Sequence, residues 1–463
     1  MADHLAVWLN GLRAGTLERR RDGSIEFRYT SEYRHRRAAP ALSVSMPRTQ
    51  EYHGSDAAGP WFDNLLPDND DVRQRWAADL ELRRPTVFGL LERMGADCAG
   101  AVQVLPEGED PAAEGAVVAL NEADIARHLR TLHADDSAWT FDEHGGRFSL
   151  GGQQGKFALT RVDGSWHQPT GRMPSTHIVK VGIAGLEGSD LAEHVTMRAA
   201  QQLGLRVAET HLETFDEQAA VIVRRFDRIV RDDGTISRLH QEDMCQARGL
   251  WRATKYEADG GPSVRELADT LDTAVDRRRL ADAREQFASA VAFNWVAAGT
   301  DAHAKNFALL HAGSSTAFAP LYDLISAALL LDPQEVRFKS RLAMKLGGEY
   351  RLRAIGARHL VRAAADLGVE ADWFIERARA LAQDLPDAVH DAVGGARRVV
   401  GASAGDGFVD RAATRSADVL RDLGTLAPGD RKQDDPDGRT WVEGHHRGER
   451  YVPGFWRSRP GRR

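Results

Sequence analysis

The stretch Gly299-Thr300-Asp301-Ala302-His303-Ala304-Lys305-Asn306-Phe307 says most about the fold of this chain. It follows Phe287–Ala298, an apolar segment with helical spacing, and precedes a strand-like run at 308–310. Asp301 and Asn306 have the D-x-x-x-x-N spacing of a phosphoryl-transfer loop. In such a loop the Asp takes a proton from the acceptor hydroxyl and the Asn supplies an oxygen to magnesium. The same residues also suit a polar turn after a helix, where Asp and Asn are common.

A second acidic residue lies inside the apolar run Ala319-Pro320-Leu321-Tyr322-Asp323-Leu324-Ile325-Ser326. A buried carboxylate without a partner is costly, and magnesium is one partner that would stabilise it. Asp323 would then act as the metal-binding Asp of the D-F-G motif does in kinases. The alternative is that Asp323 caps a helix over Leu324–Leu331, a role that Asp fills well.

Upstream, Lys180 ends the β-like run His177-Ile178-Val179-Lys180, as the lysine of the V-A-I-K motif does in kinases. Glu193 lies at the start of the helical segment Leu191–Leu203, which should end at Gly204, and is available to pair with Lys180. The alternative is a lysine on an edge strand that points to water, the more common place for lysines.

The segment Ser149-Leu150-Gly151-Gly152-Gln153-Gln154-Gly155-Lys156 is a glycine loop (residues 149–156) before another β-like run. Glycines let backbone N–H groups approach phosphate oxygens closely, although the spacing is neither G-x-G-x-x-G nor that of a Walker A loop. A plain hairpin loop would have the same composition. Taken in chain order, the glycine loop, lysine, glutamate, D-x4-N loop and second Asp indicate a magnesium- and ATP-dependent protein kinase.

Composition narrows the class of protein. Of 463 residues, 42% are hydrophobic and 28% charged, as in ordinary globular proteins. The formal net charge of −7 argues against nucleic-acid binding over the whole surface. The two cysteines, Cys98 and Cys245, make neither a disulfide framework nor a metal cluster. No apolar run approaches the roughly 18–20 residues of a membrane span and no signal peptide is evident, so we expect a cytoplasmic protein without membrane contact.

The patterns predict an α+β fold in which a β-rich lobe is followed by a helical lobe, with a cleft between them. We expect a small mixed module at 1–105, the β-rich lobe at 120–226, the helical lobe at 227–428 and a charged, disordered tail at 429–463. Helices are predicted near Trp61–Leu66, Leu80–Met94, Val264–Leu271, Arg277–Ala298, Arg353–Leu367 and Trp373–Val393.

In these segments the sequence resembles the HipA-type serine/threonine kinases, the toxin components of bacterial type II toxin–antitoxin pairs. The resemblance runs from residue 1 to about residue 420. The matching segments are 149–156, Thr176–Lys180, Arg225–Arg228, Gln241–Gln246, Lys255–Glu257, Asp259–Pro262, Thr300–Phe307 and Pro320–Ser326.

The resemblance implies a two-lobed protein-kinase-like fold with an extra N-terminal β-containing subdomain. It implies Asp301 as the catalytic base, Asn306 and Asp323 as magnesium ligands, and Lys180 on the ATP phosphates with Glu193 as its ion-pair partner. Further nucleotide contacts would come from Gly151, Gly152, Gln153, Gln154, Arg224, Phe226, His303, Lys305 and Tyr322. Ser149 stands where such kinases phosphorylate themselves, a modification that ejects the phosphate-binding loop.

The resemblance also implies partners. These are a HipB-like DNA-binding antitoxin and a protein substrate, with an aminoacyl-tRNA synthetase such as the glutamyl enzyme as the family analogy. Arg224 stands where the family pattern has a glutamate, but a hinge that binds adenine through its backbone should tolerate this change. Two other classes stay open at this stage: a catalytically silent co-repressor and a phosphotransferase for small molecules, which shares the D-x4-N loop.

The C-terminal segment Arg439–Arg463 carries seven arginines and two glutamates, with Trp441, Tyr451, Phe455 and Trp456 among them. Arginines interleaved with aromatic residues suit a surface that contacts nucleic acid or acidic protein. A solvated extension without a function would have a similar composition.

Overall fold

A computed structural model of the chain describes residues 3–113, 115–141 and 148–424, and four short strands between residues 440 and 457. The N-terminal module (residues 3–106) has a five-stranded antiparallel sheet in the order β4-β3-β2-β1-β5. Its elements are β1 (His4–Leu9), β2 (Leu12–Arg19), β3 (Ile25–Tyr29), α1 (Ser31–His35), β4 (Tyr52–His53), α2 (Ser55–Asp63), α3 (Asp70–Asp79), α4 (Val87–Met94) and β5 (Val102–Pro106).

Two of the predicted helices in this module have different bounds. The helix predicted over Leu80–Met94 begins only at Val87. Pro85 disfavours helical backbone in the residue before it. The hydroxyl of Thr86 then accepts from the backbone N–H of Gly89 and caps the helix. The helix predicted near Trp61–Leu66 is α2, which ends at Asp63.

The β-rich region (residues 116–224) has a six-stranded antiparallel sheet in the order β10-β11-β9-β7-β8-β6, flanked by two helices. Its elements are β6 (Ala116–Ala119), α5 (Glu122–Ala134), β7 (Lys156–Val162), β8 (Ser165–Thr170), β9 (His177–Lys180), α6 (Ser189–Gln202), β10 (Thr210–Phe215) and β11 (Gln218–Arg224). The end of α6 before Gly204 is confirmed, and Gly204 has the positive φ of 84° that favours glycine at this position.

The helical region (residues 225–424) confirms the four helices predicted in it, with longer or shorter bounds. Its elements are β12 (Arg228–Val230), β13 (Ile236–Arg238), β14 (His240–Asp243), α7 (Met244–Ala247), α8 (Val264–Ala274), α9 (Arg277–Val296), β15 (Ala308–Ala312), β16 (Ser315–Phe318), α10 (Ala327–Leu330), α11 (Pro333–Lys339), β17 (Arg341–Leu346), β18 (Glu349–Arg351), α12 (Ala357–Leu367), α13 (Ala371–Val400) and α14 (Phe408–Leu423). It also contains three small sheets, β12-β13, β14-β15-β16 and β17-β18, where the sequence predicted mostly helix.

The structure describes only part of the tail at 429–463 that was expected to be disordered. Residues 425–439 lie outside the described residues. Beyond them the structure has β19 (Thr440–Val442) paired with β22 (Phe455–Arg457), and β20 (His445–Arg447) paired with β21 (Arg450–Val452). Strands replace disorder there because Trp, Val, Tyr and Phe favour extended backbone, a preference that the charge of the tail concealed.

Two hydrophobic cores lie on either side of the β-rich region. One joins the N-terminal module to the six-stranded sheet. It includes Trp76 of α3, Phe157 of β7, and Trp139, which follows α5. The other joins α6 to the helices of the helical region through residues such as Phe287 and Trp295. In the described part of the chain no helix is both long and apolar enough to cross a membrane.

A buried ion network joins the N-terminal module to the end of β11. Asp97 Oδ1 accepts from Arg228 at 2.8 Å, and Asp227 Oδ2 accepts from Arg225 at 2.8 Å. Asp227 also accepts from the backbone N–H of Gly100 at 2.7 Å. Burial alone would raise the pKa of Asp97, but the charges of Arg228 and Arg225 hold it well below its usual value. The arginine charges likewise lower the pKa of Asp227, so both carboxylates are ionised.

We expect Asp97→Asn to lower the free energy of unfolding by about 3–5 kcal/mol, because it leaves buried arginine charge uncompensated. Denaturant unfolding of the purified protein measures the change. Asp282→Asn is the control, since Asp282 pairs with Arg206 on the surface and such pairs contribute only about 0–1 kcal/mol. Equal stability of the two variants would contradict the prediction.

Candidate active site

A cleft of ≈ 670 Å³ is lined by residues of all three regions. The sequence-predicted site residues that line it are Gly151, Gly152, Gln153, Gln154, Lys180, Arg224, Phe226, Asp301, His303, Lys305, Asn306, Tyr322 and Asp323. Segments that lie far apart in the sequence therefore meet in one cavity, large enough for a drug-sized or nucleotide-sized ligand.

Lys180 lies at the end of β9 with its ammonium group between two carboxylates. Its Nζ donates to Glu193 Oε1 on α6 at 2.6 Å and to Asp323 Oδ1 at 2.6 Å. Burial alone would lower the pKa of Lys180, but the two carboxylates raise it above its usual value. The predicted pairing with Glu193 is confirmed, and the alternative of a lysine that points to water is wrong.

Asp323 does not cap a helix. The next helix, α10, begins at Ala327 with Ser326 before it. Asp323 itself has a φ of +59°, a left-handed conformation that Asp tolerates better than most residues. Burial would raise the pKa of its carboxyl group, but the ammonium groups of Lys180 and Lys156 hold it below its usual value. Asp323 is thus an ionised carboxylate in the cleft.

The Asp301 loop (residues 299–307) follows α9 and contains a short 3₁₀ turn at Ala304–Asn306. Asn306 Nδ2 donates to the backbone oxygen of Asp301 at 3.2 Å and to that of Asp323 at 3.3 Å. Asp301 Oδ1 accepts from the hydroxyl of Tyr256 at 2.5 Å. Burial and the charge of Asp301 raise the pKa of Tyr256, so this hydroxyl is a neutral donor.

His303 of the same loop is buried, and its ring packs edge-on against Tyr256 with centroids 4.9 Å apart. Burial lowers the pKa of His303 to about 4, so the ring is neutral at physiological pH. Its Nδ1 has no hydrogen-bond partner among the described residues. His303 lines the cleft, although this nitrogen is itself buried.

The glycine loop runs along the cleft towards β7. Gly152 has a φ of +102°, and a Cβ there would lie 2.5 Å from Lys156 Nζ, so the loop requires glycine at this position. Lys156 Nζ donates to Gly151 O at 2.7 Å and lies 5.0 Å from the centroid of the Trp139 ring. Burial, with the charge of Lys180, lowers the pKa of Lys156 to about 8.

Ser149, at the start of the glycine loop, is fully buried. Its hydroxyl donates to the backbone oxygen of Leu65 at 2.7 Å, and its backbone N–H donates to Asp97 O at 2.9 Å. The hydroxyl does not face the cleft in this arrangement, because its hydrogen bond points into the N-terminal module.

The opposite end of the cleft is apolar. The rings of Phe226 and Tyr322 lie with centroids 5.7 Å apart, and the Tyr322 hydroxyl donates to Lys305 O at 2.5 Å. The side chain of Arg224 turns away to pair with Glu209 at 3.0 Å on the surface. The replacement of glutamate by Arg224 therefore leaves the backbone of this segment at the cleft wall.

Among the residues that line the cleft, the sequence assigned no role to Asn64, Asp68, Lys156 and Tyr256. Asn64 and Asp68 come from the N-terminal module, and both bind Lys305 Nζ at 2.8 Å. The ammonium group of Lys305, predicted to contact nucleotide, is thus held by this module. No spacing rule connects residues more than 230 positions apart, as Asp68 and Lys305 are. Lys156 and Tyr256 did lie in matching segments, without an assigned role.

Comparisons with known proteins agree with this architecture. A family model described as HipA-like C-terminal domain matches residues 148–392, and one described as HipA N-terminal domain matches residues 5–105. The chain is 33% identical over 390 residues to "Putative kinase Y4mE" of Sinorhizobium fredii (strain NBRC 101917 / NGR234), covering 83% of this chain and 90% of that protein.

A protein sequence and a solved structure from Shewanella oneidensis MR-1 are also similar to this chain. The chain is 27% identical over 341 residues to "Serine/threonine-protein kinase toxin HipA", covering 71% of this chain and 76% of that protein. A chain solved in a complex of HipA, HipB and operator DNA superposes with a TM-score of 0.75 and 24% identity, covering 90% of this chain and 97% of that one. The likeness to the solved chain shows a shared fold.

We expect Lys156 to be the most reactive lysine of the cleft at mildly alkaline pH, because its pKa of about 8 leaves much of the amine neutral there. Acylation followed by mass spectrometry over a pH series measures its reactivity. Lys180 is the control, since its two carboxylate partners keep it protonated and should leave it unlabelled. Labelling of both lysines with the same pH dependence would contradict the prediction.

Proposed function

The chain belongs to the HipA family of serine/threonine-protein kinases, and on this premise we propose that it is the toxin of a type II toxin–antitoxin pair. In this role it transfers the γ-phosphoryl group of ATP to a serine or threonine of a host protein in the cytoplasm. The observation that carries the proposal is the buried ammonium of Lys180, held by both Glu193 and Asp323. Kinases require the lysine–glutamate pair before phosphoryl transfer, and the same lysine lies beside the carboxylate proposed to bind magnesium.

The proposed architecture is that of a two-lobed protein kinase. Residues 120–226 form the N-lobe with the glycine loop, residues 227–428 form the C-lobe, and residues 1–105 form the added N-terminal subdomain. The cleft lined by residues of all three regions, with Lys180 on one side and the Asp301 loop on the other, supports this division.

ATP would bind with its adenine near Phe226 and Tyr322, whose rings are already packed together. Its phosphates would lie along the glycine loop, where Gly151 and Gly152 let backbone N–H groups approach. Lys180 and Lys156 both line this part of the cleft and supply positive charge. Lys156 is free to do so because its described contacts are a backbone oxygen and an aromatic ring.

Magnesium fits the residues present. The amide nitrogen of Asn306 is occupied by two backbone oxygens, which leaves its oxygen as the free acceptor, and Asp323 is an ionised carboxylate. Magnesium prefers such oxygen ligands, and it commonly takes only one or two from side chains, the rest coming from phosphate and water. Bound with ATP, the ion would neutralise charge on the transferred phosphoryl group.

Asp301 is the proposed base. Tyr256 donates to its Oδ1, so Oδ2 is the oxygen open to the hydroxyl of a protein substrate. As the acceptor oxygen bonds to the γ-phosphorus, the bond to the β,γ-bridging oxygen breaks, ADP leaves, and Asp301 takes the hydroxyl proton.

The proposed partner is a HipB-like antitoxin that binds operator DNA, because the solved chain that shares this fold was found in such a complex. The protein substrate is proposed by family analogy to be an aminoacyl-tRNA synthetase such as the glutamyl enzyme. Phosphoproteomics after induced expression identifies the substrate, and absence of any new phosphoserine or phosphothreonine would contradict kinase activity on proteins.

We expect Asp301→Asn to lower kcat by about 10²–10⁴-fold, since this is what a general base contributes. We expect Asp323→Ala to abolish phosphoryl transfer, because Lys180 and magnesium both lose a carboxylate. Transfer of labelled phosphate by the purified protein is the measurement. Asp259→Asn is the control, because Asp259 is exposed just after Tyr256 and does not line the cleft. Wild-type turnover in Asp301→Asn would show that another group is the base.

We expect Ser149 to be phosphorylated in protein expressed in active form and unmodified in Asp301→Asn expressed alone. A phosphate of −1.5 to −2 charge cannot occupy the buried site at Leu65 O, so the glycine loop must leave the cleft. Intact mass and peptide mapping measure the modification, and titration with ATP measures the loss of binding. Full ATP affinity in the phosphorylated protein would contradict this mode of regulation.

A further inference from the structure

Asp68 lies between α2 and α3 in the N-terminal module, and its carboxylate is buried among groups of the helical region. Its Oδ1 accepts from Lys305 Nζ at 2.8 Å, and its Oδ2 accepts from Lys255 Nζ at 3.0 Å. Its side chain is 5% exposed, and that of Lys305 is 6% exposed. One carboxylate therefore neutralises two ammonium groups that would otherwise repel each other inside the protein.

Both lysines belong to segments that hold the proposed catalytic residues. Lys305 immediately precedes Asn306 in the Asp301 loop. Lys255 precedes Tyr256, whose hydroxyl donates to Asp301 at 2.5 Å, and its backbone oxygen accepts from Ala304 N at 3.2 Å. The positions of Asp301 and Asn306 therefore depend on the same two lysines that Asp68 binds.

The backbone of Asp68 reaches a third part of the site. Its N–H donates to Gly152 O in the glycine loop at 2.8 Å. Asn64, just before it, accepts from Lys305 at 2.8 Å and donates to Leu250 O at 2.8 Å. The segment from Asn64 to Asp68 thus touches the glycine loop and the Asp301 loop together.

We propose that Asp68 is a positioning residue of the kinase site, through which the N-terminal module holds the Asp301 loop in its productive geometry. It acts through Lys255 and Lys305 and touches neither substrate. The role in catalysis rests on the proposed kinase function, whereas the effect on the Asp301 loop does not. The N-terminal module would then help to position the catalytic residues of the site.

A merely structural role for Asp68 would make a different prediction. If its ion pairs only docked the module, removing them would lower stability and leave turnover of the folded protein unchanged. Asp63 provides the matched comparison, because it is also a buried carboxylate at the end of α2. Its Oδ1 binds Arg73 at 2.6 Å and its Oδ2 lies 3.4 Å from Arg252, so its ion-pair partners among the described residues are arginines and not the lysines of the site.

The experiment compares Asp68→Asn with Asp63→Asn in the full-length protein. We expect Asp68→Asn to lower kcat by about 10²-fold, the cost of a misplacement of roughly 1 Å at a catalytic group. Its KM for ATP should change little, because the bond from Asp68 N to Gly152 O does not involve the side chain. Asp63→Asn should lower the melting temperature at least as much and keep the wild-type kcat.

Lys255→Met tests the route of the effect. If Asp68 acts through Lys255, the double variant Asp68→Asn with Lys255→Met should lose less activity than the sum of the two single losses predicts. Additive losses would show that the two residues act independently and would overturn the proposed route.

Hydrogen exchange separates this proposal from the kinase assignment. Amides of residues 301–307 should exchange faster in Asp68→Asn than in wild type or Asp63→Asn, whether or not the protein transfers phosphate. An inactive wild-type protein with this difference would overturn the kinase function alone. Wild-type kcat in Asp68→Asn, or unchanged exchange at 301–307, would overturn the positioning role.

Discussion

The buried ammonium of Lys180 is the interaction on which the site depends. An isolated charge in that position would be expensive, so β9 can carry a lysine there only if carboxylates come to it. One carboxylate belongs to Glu193 on α6, a helix that packs against the helical region. The other belongs to Asp323, in the segment after β16. The ion pairs of this one lysine therefore connect the six-stranded sheet with α6 and with the helical region at the cleft.

The N-terminal module is joined to the rest of the protein by buried charge as well as by apolar packing. Asp97 meets Arg225 and Arg228 at the end of β11, and Asp68 meets two lysines beside the Asp301 loop. A third contact is Glu242, which accepts from Val44 N and from the Trp61 indole. Removing one partner of a buried ion pair leaves an uncompensated charge, so arrangements of the module that separate these pairs are disfavoured.

The parts of the site that were predictable from sequence depend on short separations. Lys180 and Glu193 are 13 residues apart, and Asp301 and Asn306 share one loop, so strand, helix and loop patterns place each pair correctly. The contact between Lys180 and Asp323, 143 residues apart, was not predicted, because the motifs gave each residue a ligand to bind and not each other. The left-handed backbone of Asp323 and the contact of Asp68 with Lys305 could not be predicted, because both are imposed by tertiary packing around a polar cluster.

Helix starts were misjudged where a proline or a 3₁₀ turn overrides the apolar period, as at Val87 and Ala357.

The charges of the cleft differ in how they are balanced. Lys180, Lys255 and Lys305 each have a carboxylate partner within 3.0 Å, whereas the described contacts of Lys156 include no carboxylate. Burial lowers the pKa of both Lys156 and Lys180, but only Lys180 has carboxylate partners in contact, so the pKa of Lys156 falls to about 8 while that of Lys180 rises. A triphosphate placed along the glycine loop would supply the missing negative charge and raise the pKa of Lys156 again. Nucleotide binding at neutral to mildly alkaline pH is therefore linked to proton uptake at Lys156.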